Sequence, residues 1–140
     1  MRLKLCLLLL GKITSYELAA EQGHPFAQSK MGYFYEKGII VGKDLERAKW
    51  YFSQCSYNGT PLCQFNFGVL LAKSHSRQDL TQAWGWLTLA GPHYAKASKL
   101  IESIESILTI EEIENAKIMY AETKNLIKRT ENFAYIHQNT

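Results

Sequence analysis

Few side chains in this sequence stand at spacings that could do chemistry. The candidates are Cys6, Cys55 and Cys63, the histidines at 24, 75, 93 and 137, and the tryptophans at 50, 84 and 86. The histidines share no metal-ligand spacing with one another or with the cysteines, so neither a metal site nor a cofactor is expected. There is no His-Glu-x-x-His helix and no Ser-x-x-Lys pair, and no catalytic residue is assigned. The run Gly38-x3-Gly42-Lys43-Asp44 has the outline of a phosphate loop. Its spacing is short, and Asp44 stands where a Ser or Thr would hold magnesium, so it reads as a turn. Trp50, Trp84 and Trp86 could form an aromatic ligand box, but packing accounts for them better. Trp86 falls on a core position, and Trp50 and Trp84 are expected to pack between repeated elements rather than lie exposed. Cys55 and Cys63 enclose seven residues, and what that spacing means depends on the elements around it.

Composition bounds those elements. The chain has 140 residues, 46% hydrophobic and 21% charged, with a net charge of +3. That is one domain's worth of a globular protein, not a disordered or collagen-like chain. The basic residues are scattered, so no nucleic-acid partner is expected. No apolar run reaches the roughly 18 residues of a transmembrane segment. The start, Met1 to Lys12, pairs a basic beginning with a short leucine run. It reads either as a weak secretory leader, ended early by Lys12 and lacking a small-x-small cleavage site, or as an N-terminal helix over residues 1–15. The helix is the favoured reading, with Leu5, Leu8 and Leu9 covering the end of the core. Lys4 and Leu5 ahead of Cys6 do not make a lipoprotein box.

An internal repeat decides the fold class. At an offset of 36, Gly23 falls on Gly59, Pro25 on Pro61, Gln28 on Gln64 and Gly32 on Gly68, and the small residues Ala19, Ala20 and Ala27 fall on Cys55, Ser56 and Cys63. Further on, Ala48 matches Ala83 and Tyr51 matches Trp86 at an offset of 35, a one-residue loop deletion. Each repeat reads as two helices. Helix A opens with a Pro in its first turn, where a missing N–H is harmless. Ala27, Met31 and Tyr35 then form its apolar stripe, and Gly32 is expected to admit a partner backbone. Asp44 is a predicted N-cap for helix B, which turns Ala48, Tyr51, Phe52 and Cys55 inward and ends at Gly59. The second repeat buries Cys63, Phe67, Leu71, Ala83, Trp86, Leu87 and Ala90 in the same pattern.

The pattern Ala27-x3-Met31-Gly32-x2-Tyr35-x2-Gly38-x2-Val41-x2-Asp44-x3-Ala48-x2-Tyr51-Phe52-x2-Cys55-Ser56-x2-Gly59 resembles the Sel-1-like repeat, a tetratricopeptide-like helical hairpin. The resemblance covers roughly residues 16–98. It implies an all-α chain, a short α-solenoid of antiparallel helix pairs with C-terminal capping helices. The half repeat is 16–23, the full repeats are 24–59 and 60–94, the capping helices are 95–129, and 130–140 is expected to be a flexible tail. The half repeat matches only the end of a helix B, as though an earlier repeat were missing. Ile40 departs from the family pattern, standing where a second loop Gly is usual, and the loop Ala72-Lys-Ser-His-Ser-Arg77 has lost its glycines. Residues 95–128 are similar to the tail of bacterial members. There Leu100, Ile101, Ile104, Ile107 and Leu108 stripe one helix. Thr109 and Glu112 form a capping box that opens a second, which buries Ile113, Ala116, Tyr120 and Ile127. Lys128 and Arg129 are placed near the end of that helix, where cations suit the dipole.

On this frame Cys55 and Cys63 end one helix and begin the next. A disulfide fits that geometry and would stabilise by about 2.5 kcal/mol on a chain-entropy model. Two buried small residues in a reducing compartment fit it as well. The spacing is similar to the cysteine-rich branch of the family, whose members are exported. Localisation is accordingly open: cytoplasmic or, with a cleaved leader, periplasmic or secreted.

The family resemblance implies a protein–protein interaction scaffold rather than an enzyme. The helix A face opposite the core stripe carries Phe26, Ser29, Lys30, Tyr33 and Lys37, then Leu62, Phe65, Asn66, Val69 and Lys73. Phe26, Leu62, Phe65 and Val69 are expected to pack one helix A on the next, while Tyr33 and the lysines stay exposed. Lys30, Tyr33, Lys37, Phe65, Asn66 and Lys73 are the candidate contacts for a peptide or protein partner, and self-association through the N-terminal end is a further expectation. The alternative is penicillin-binding or β-lactam-hydrolysing activity, described for cysteine-rich relatives. The missing Ser-x-x-Lys argues against it here.

Overall fold

The computed structural model describes residues 1–139, which form seven helices: α1 (Arg2–Glu21), α2 (Pro25–Lys37), α3 (Leu45–Tyr57), α4 (Pro61–Ala72), α5 (Arg77–Ala90), α6 (Lys96–Glu105) and α7 (Ile110–Gln138). There is no strand among the described residues. The helices fall into two compact units, Met1–Cys55 and a second beginning at Ser56.

In the first unit α1 and α2 form an antiparallel hairpin about Gly23, whose φ of +86° lies in the left-handed region that favours glycine. Ala20, Ala27, Met31, Tyr35, Ala48, Tyr51, Phe52 and Cys55 are buried, the stripe the repeat predicts. Gly32 faces a ring, not a backbone: a Cβ there would lie 2.7 Å from Phe52 Cε1. The tight approach expected at this position is therefore real, but its partner is an aromatic side chain. Asp44 Oδ1 accepts from the Glu46 and Arg47 amides at 3.1 and 3.0 Å and caps α3 as predicted. The run between Gly38 and Asp44 is the turn that joins α2 to α3. Gly38 sits at φ +68°, Asp44 N donates to Tyr35 O at 3.0 Å, and nothing in this loop is a phosphate cradle.

The leucine run lies within a single continuous helix, α1, but it does not cover the core. Leu5 and Leu8 are exposed, Leu8 at 61%, and Leu9 is half-buried. The reason is length. At 1.5 Å per residue the 20 residues of α1 extend about 30 Å, while the 13 of α2 reach only about 20 Å along it. Ile13 and Ala20 are the buried residues of α1.

In the second unit α5 packs against α4, α6 and α7. Gly68 repeats the Gly32 arrangement: its Cβ would lie 2.7 Å from Leu87 Cγ. Thr109 Oγ1 accepts from Glu112 N while Glu112 Oε2 accepts from Thr109 N, the predicted capping box of α7. Ile104, Leu108, Ala116 and Ile127 are buried, Leu100, Ile101, Ile113 and Tyr120 half-buried, and Ile107 exposed. The sequence reading ends this helix near residue 129, with a flexible tail after it. Instead α7 continues to Gln138, because no Gly or Pro interrupts residues 110–138. Among the described residues none after Ile127 is buried, and Lys128 and Arg129 lie well inside the helix. His137 is the basic residue of its last turn.

Cys55 and Cys63 are joined by a disulfide, and both are fully buried. Cys6 is a free, exposed thiol.

Candidate functional site

The candidate contacts of the first unit share one side of α2. Lys30, Tyr33 and Lys37 follow one another at helical spacing, with Tyr33 and Lys37 exposed and Lys30 half-buried. The Lys30 ammonium lies 5.4 Å from the centroid of the Phe26 ring, a cation–π contact. Lys37 lies 3.8 Å from Glu36. Phe26 itself is 63% exposed, so packing does not claim it as expected: it touches Tyr16 at one edge and leaves most of its ring outward. Ser29, assigned by spacing to the outer face, is buried.

The second unit places its candidates on α4. Phe65 is half-buried and stacks on Tyr94, with centroids 4.7 Å apart and planes 19° from parallel. Asn66 and Val69 are half-buried, Leu62 is exposed, and Lys73 is exposed at the C-terminal cap of α4. Leu62, like Phe26, was expected to be packed and is not.

The tryptophans separate into different roles. Trp84 is buried and its Nε1 donates to Glu105 Oε1 at 2.9 Å. Trp86 is buried as predicted, edge-on to Tyr57 at 4.9 Å. Trp50 is 54% exposed rather than packed, resting edge-on against Tyr51.

Spacing did not single out a cleft of about 170 Å³ in the second unit, lined by Tyr57, Gln82, Gly85, Trp86, Met119 and Tyr120 among others. One signal was present in the sequence: Gly85 interrupts a helix at the position where the preceding repeat carries Trp50. A Cβ at Gly85 would meet only Tyr120 Cβ, at an ordinary 3.9 Å, so packing does not demand glycine there.

Charge is concentrated in one pair. Arg77 Nε and Nη2 donate to the two carboxylate oxygens of Glu112 at 2.7 and 2.6 Å, and Nη2 also donates to Ile107 O at 3.2 Å. The Arg77 bonds, helped by the Thr109 amide, hold the Glu112 carboxyl down at about 2 and raise the Arg77 guanidinium. In the first unit Arg47 Nη1 donates to Tyr35 Oη at 2.9 Å, which raises the Arg47 guanidinium. Burial pushes the Tyr51 phenol up. These groups fix helix ends and turns, and none lies in the cleft. Among the described residues no cluster of His, Cys, Asp or Glu could hold a metal ion. Among the described residues no helix is long and apolar enough to cross a membrane.

Comparison with known proteins agrees with the hairpin geometry. A search of curated proteins finds no match. Among solved structures, a protective antigen present in uropathogenic Escherichia coli strains, displaying an SLR fold, superposes with a TM-score of 0.72 at 21% identity. The match covers 86% of this chain and 27% of that one, so this chain spans about a quarter of that protein's length. At this identity the likeness is one of fold, an all-α solenoid of helix pairs. The Sel1 repeat profile matches residues 16–24, 25–59 and 61–91, more than half of the chain and the same segments that the glycine and proline spacing marks out. With Gly32 and Gly68 each meeting a helix B side chain at the same point of the hairpin, the conclusion is that this chain belongs to the Sel1 repeat family.

Proposed function

We propose that the chain is an interaction scaffold without chemistry of its own, and that the outward side of α2 and, as a separate site, that of α4 each take hold of an acidic or amphipathic peptide. Sel1 repeats support a protein–protein interaction scaffold in general. The observation that carries the finer reading is the side of α2, where Lys30, Tyr33 and Lys37 accompany the exposed ring of Phe26. Cations alternating with aromatic surface suit a ligand that offers carboxylates and apolar side chains together. On α4, Phe65, Asn66 and Lys73 supply the same residue types.

The test is binding of a defined set of acidic amphipathic peptides, read by fluorescence anisotropy, to the parent chain and to a Lys30→Glu, Lys73→Glu double variant. The variant is expected to lose binding while keeping its helical circular dichroism. Unchanged affinity in the folded variant would sink the assignment.

The exposed leucines of α1 favour a second reading, self-association through that helix. Sedimentation velocity on the chain and on a Leu3→Glu, Leu7→Glu variant tests it. A concentration-dependent dimer absent from the variant would support it, and a monomer in both would end it.

A further inference from the structure

The geometry points to a second binding site, the cleft between α5 and α7, which takes one apolar side chain carried beside a carboxylate on a partner peptide. Its lining shares no residue with the candidate contacts on α2 and α4, so either assignment can fail without the other.

Size comes first. Pockets for drug-sized ligands run to about 300–1,000 Å³, and about 170 Å³ admits a single large side chain. The space exists because of a residue that packing does not require. Gly32 and Gly68 lie under side chains that forbid a Cβ, whereas a Cβ at Gly85 would touch Tyr120 only at van der Waals distance. A glycine inside a helix weakens it, so an open floor is retained at a cost in helix stability. The walls are the aromatic Tyr57, Trp86 and Tyr120 with Met119, and Thr81, Gln82 and Thr123 add polar surface among them.

Polarity gives the rest of the ligand. Trp86 is 5% exposed, yet its indole N–H has no acceptor among the described residues, in contrast to the Trp84 N–H bonded to Glu105. That N–H keeps contact with solvent, so it is open to an acceptor carried by a ligand. Beside the lining residue Tyr120, the Lys124 ammonium donates to Tyr120 Oη at 3.2 Å and lies 5.4 Å from the centre of that ring. No Asp or Glu lines the cleft. An aromatic enclosure for a cationic ligand would be expected to carry an acid and not a lysine. The open indole donor and the cation beside Tyr120 both favour an anionic acceptor.

The experiment titrates N-acetyl-phenylalaninate into the ¹⁵N-labelled full chain and follows the Trp indole and backbone amide signals. Saturable shifts are expected at the Trp86 indole and the Gly85 and Thr123 amides, and N-acetyl-phenylalaninamide should bind more weakly. Gly85→Leu, which fills the cleft, should abolish the shifts. Lys124→Gln, an exposed change that folding tolerates, should weaken the carboxylate probe about threefold and leave the amide probe unchanged. Absence of saturable shifts at these positions would overturn the proposal. So would undiminished binding in a Gly85→Leu variant that keeps its helical signal, equal affinity for both probes, or tetramethylammonium shifting the same signals as strongly.

Discussion

Gln64 Nε2 donates to the Ser56 carbonyl oxygen at 3.2 Å, and one repeat earlier Gln28 Nε2 donates to the Ala20 carbonyl oxygen at the same 3.2 Å. Both glutamines are buried, and in each case the acceptor lies eight residues back, on the end of the preceding helix. Helix ends leave carbonyls without intrahelical partners, and a buried one must find a donor. The Gly23 and Gly59 amides donate to these carbonyls at 3.0 Å, and the glutamine is a second donor to the same oxygen, built into the repeat and tying one helix to the next.

Replacing Gln64 or Gln28 by Ala should therefore destabilise by about 0.5–1.5 kcal/mol, because a buried interhelix hydrogen bond is lost while the glycine amide still serves the carbonyl. Ser56 provides the internal control. Its hydroxyl is buried without a partner, and its counterpart one repeat earlier is Ala20. Ser56→Ala should change stability by less than about 0.5 kcal/mol or raise it. Urea unfolding followed by far-UV circular dichroism reads both, and a glutamine variant as stable as the parent would contradict the assigned role.

The two interhelix loops carry strain at one repeated position. Ile40 has φ +67° and His75 φ +58°, 35 residues apart, both in the left-handed region. A β-branched residue is poorly suited to it, and histidine tolerates it better. Ile40→Gly is expected to stabilise by about 0.5–1 kcal/mol, with His75→Gly gaining less. Thermal midpoints of the two variants should rise in that order.

Three interior glycines should answer differently to the same substitution. Gly32→Ala and Gly68→Ala drive a Cβ to 2.7 Å from Phe52 and Leu87 respectively and should destabilise by about 1–3 kcal/mol. Gly85→Ala meets nothing closer than 3.9 Å and should stabilise by about 0.5–1 kcal/mol. Denaturant midpoints for the three variants distinguish glycine required by packing from glycine that leaves space.

Acid should weaken the second unit through Glu112. Its carboxyl, held by Arg77, titrates at about 2 when folded against an ordinary 4.5. The unfolded chain therefore takes up the proton first as pH falls. The contribution is complete above about 4.5 and is lost progressively as pH drops towards 2. Glu112→Gln keeps a residue compatible with the capping box but does not titrate. Between pH 5 and 2 the urea midpoint of the parent should fall more steeply than that of Glu112→Gln, and parallel curves would refute the linkage.

The hairpins were legible in the sequence because repetition samples the same constraints twice. Gly23 and Gly59 recur because both turns need φ near +85°, Pro25 and Pro61 because a helix start tolerates a missing N–H, and Gly32 and Gly68 because a side chain presses on each. The Thr109–Glu112 capping box and the Asp44 cap were equally plain, since each is a local hydrogen-bond pattern within four residues. Tertiary structure alone decided what depends on where a neighbouring helix stops. Leu8 carries a core residue's chemistry but lies beyond the reach of α2, and Phe26 and Trp50 face outward although hydropathy would bury them. The cleft at Gly85 belongs to the same class. Its walls come from residues 57, 86 and 120, brought together only when α5 and α7 pack, so no local period could announce it.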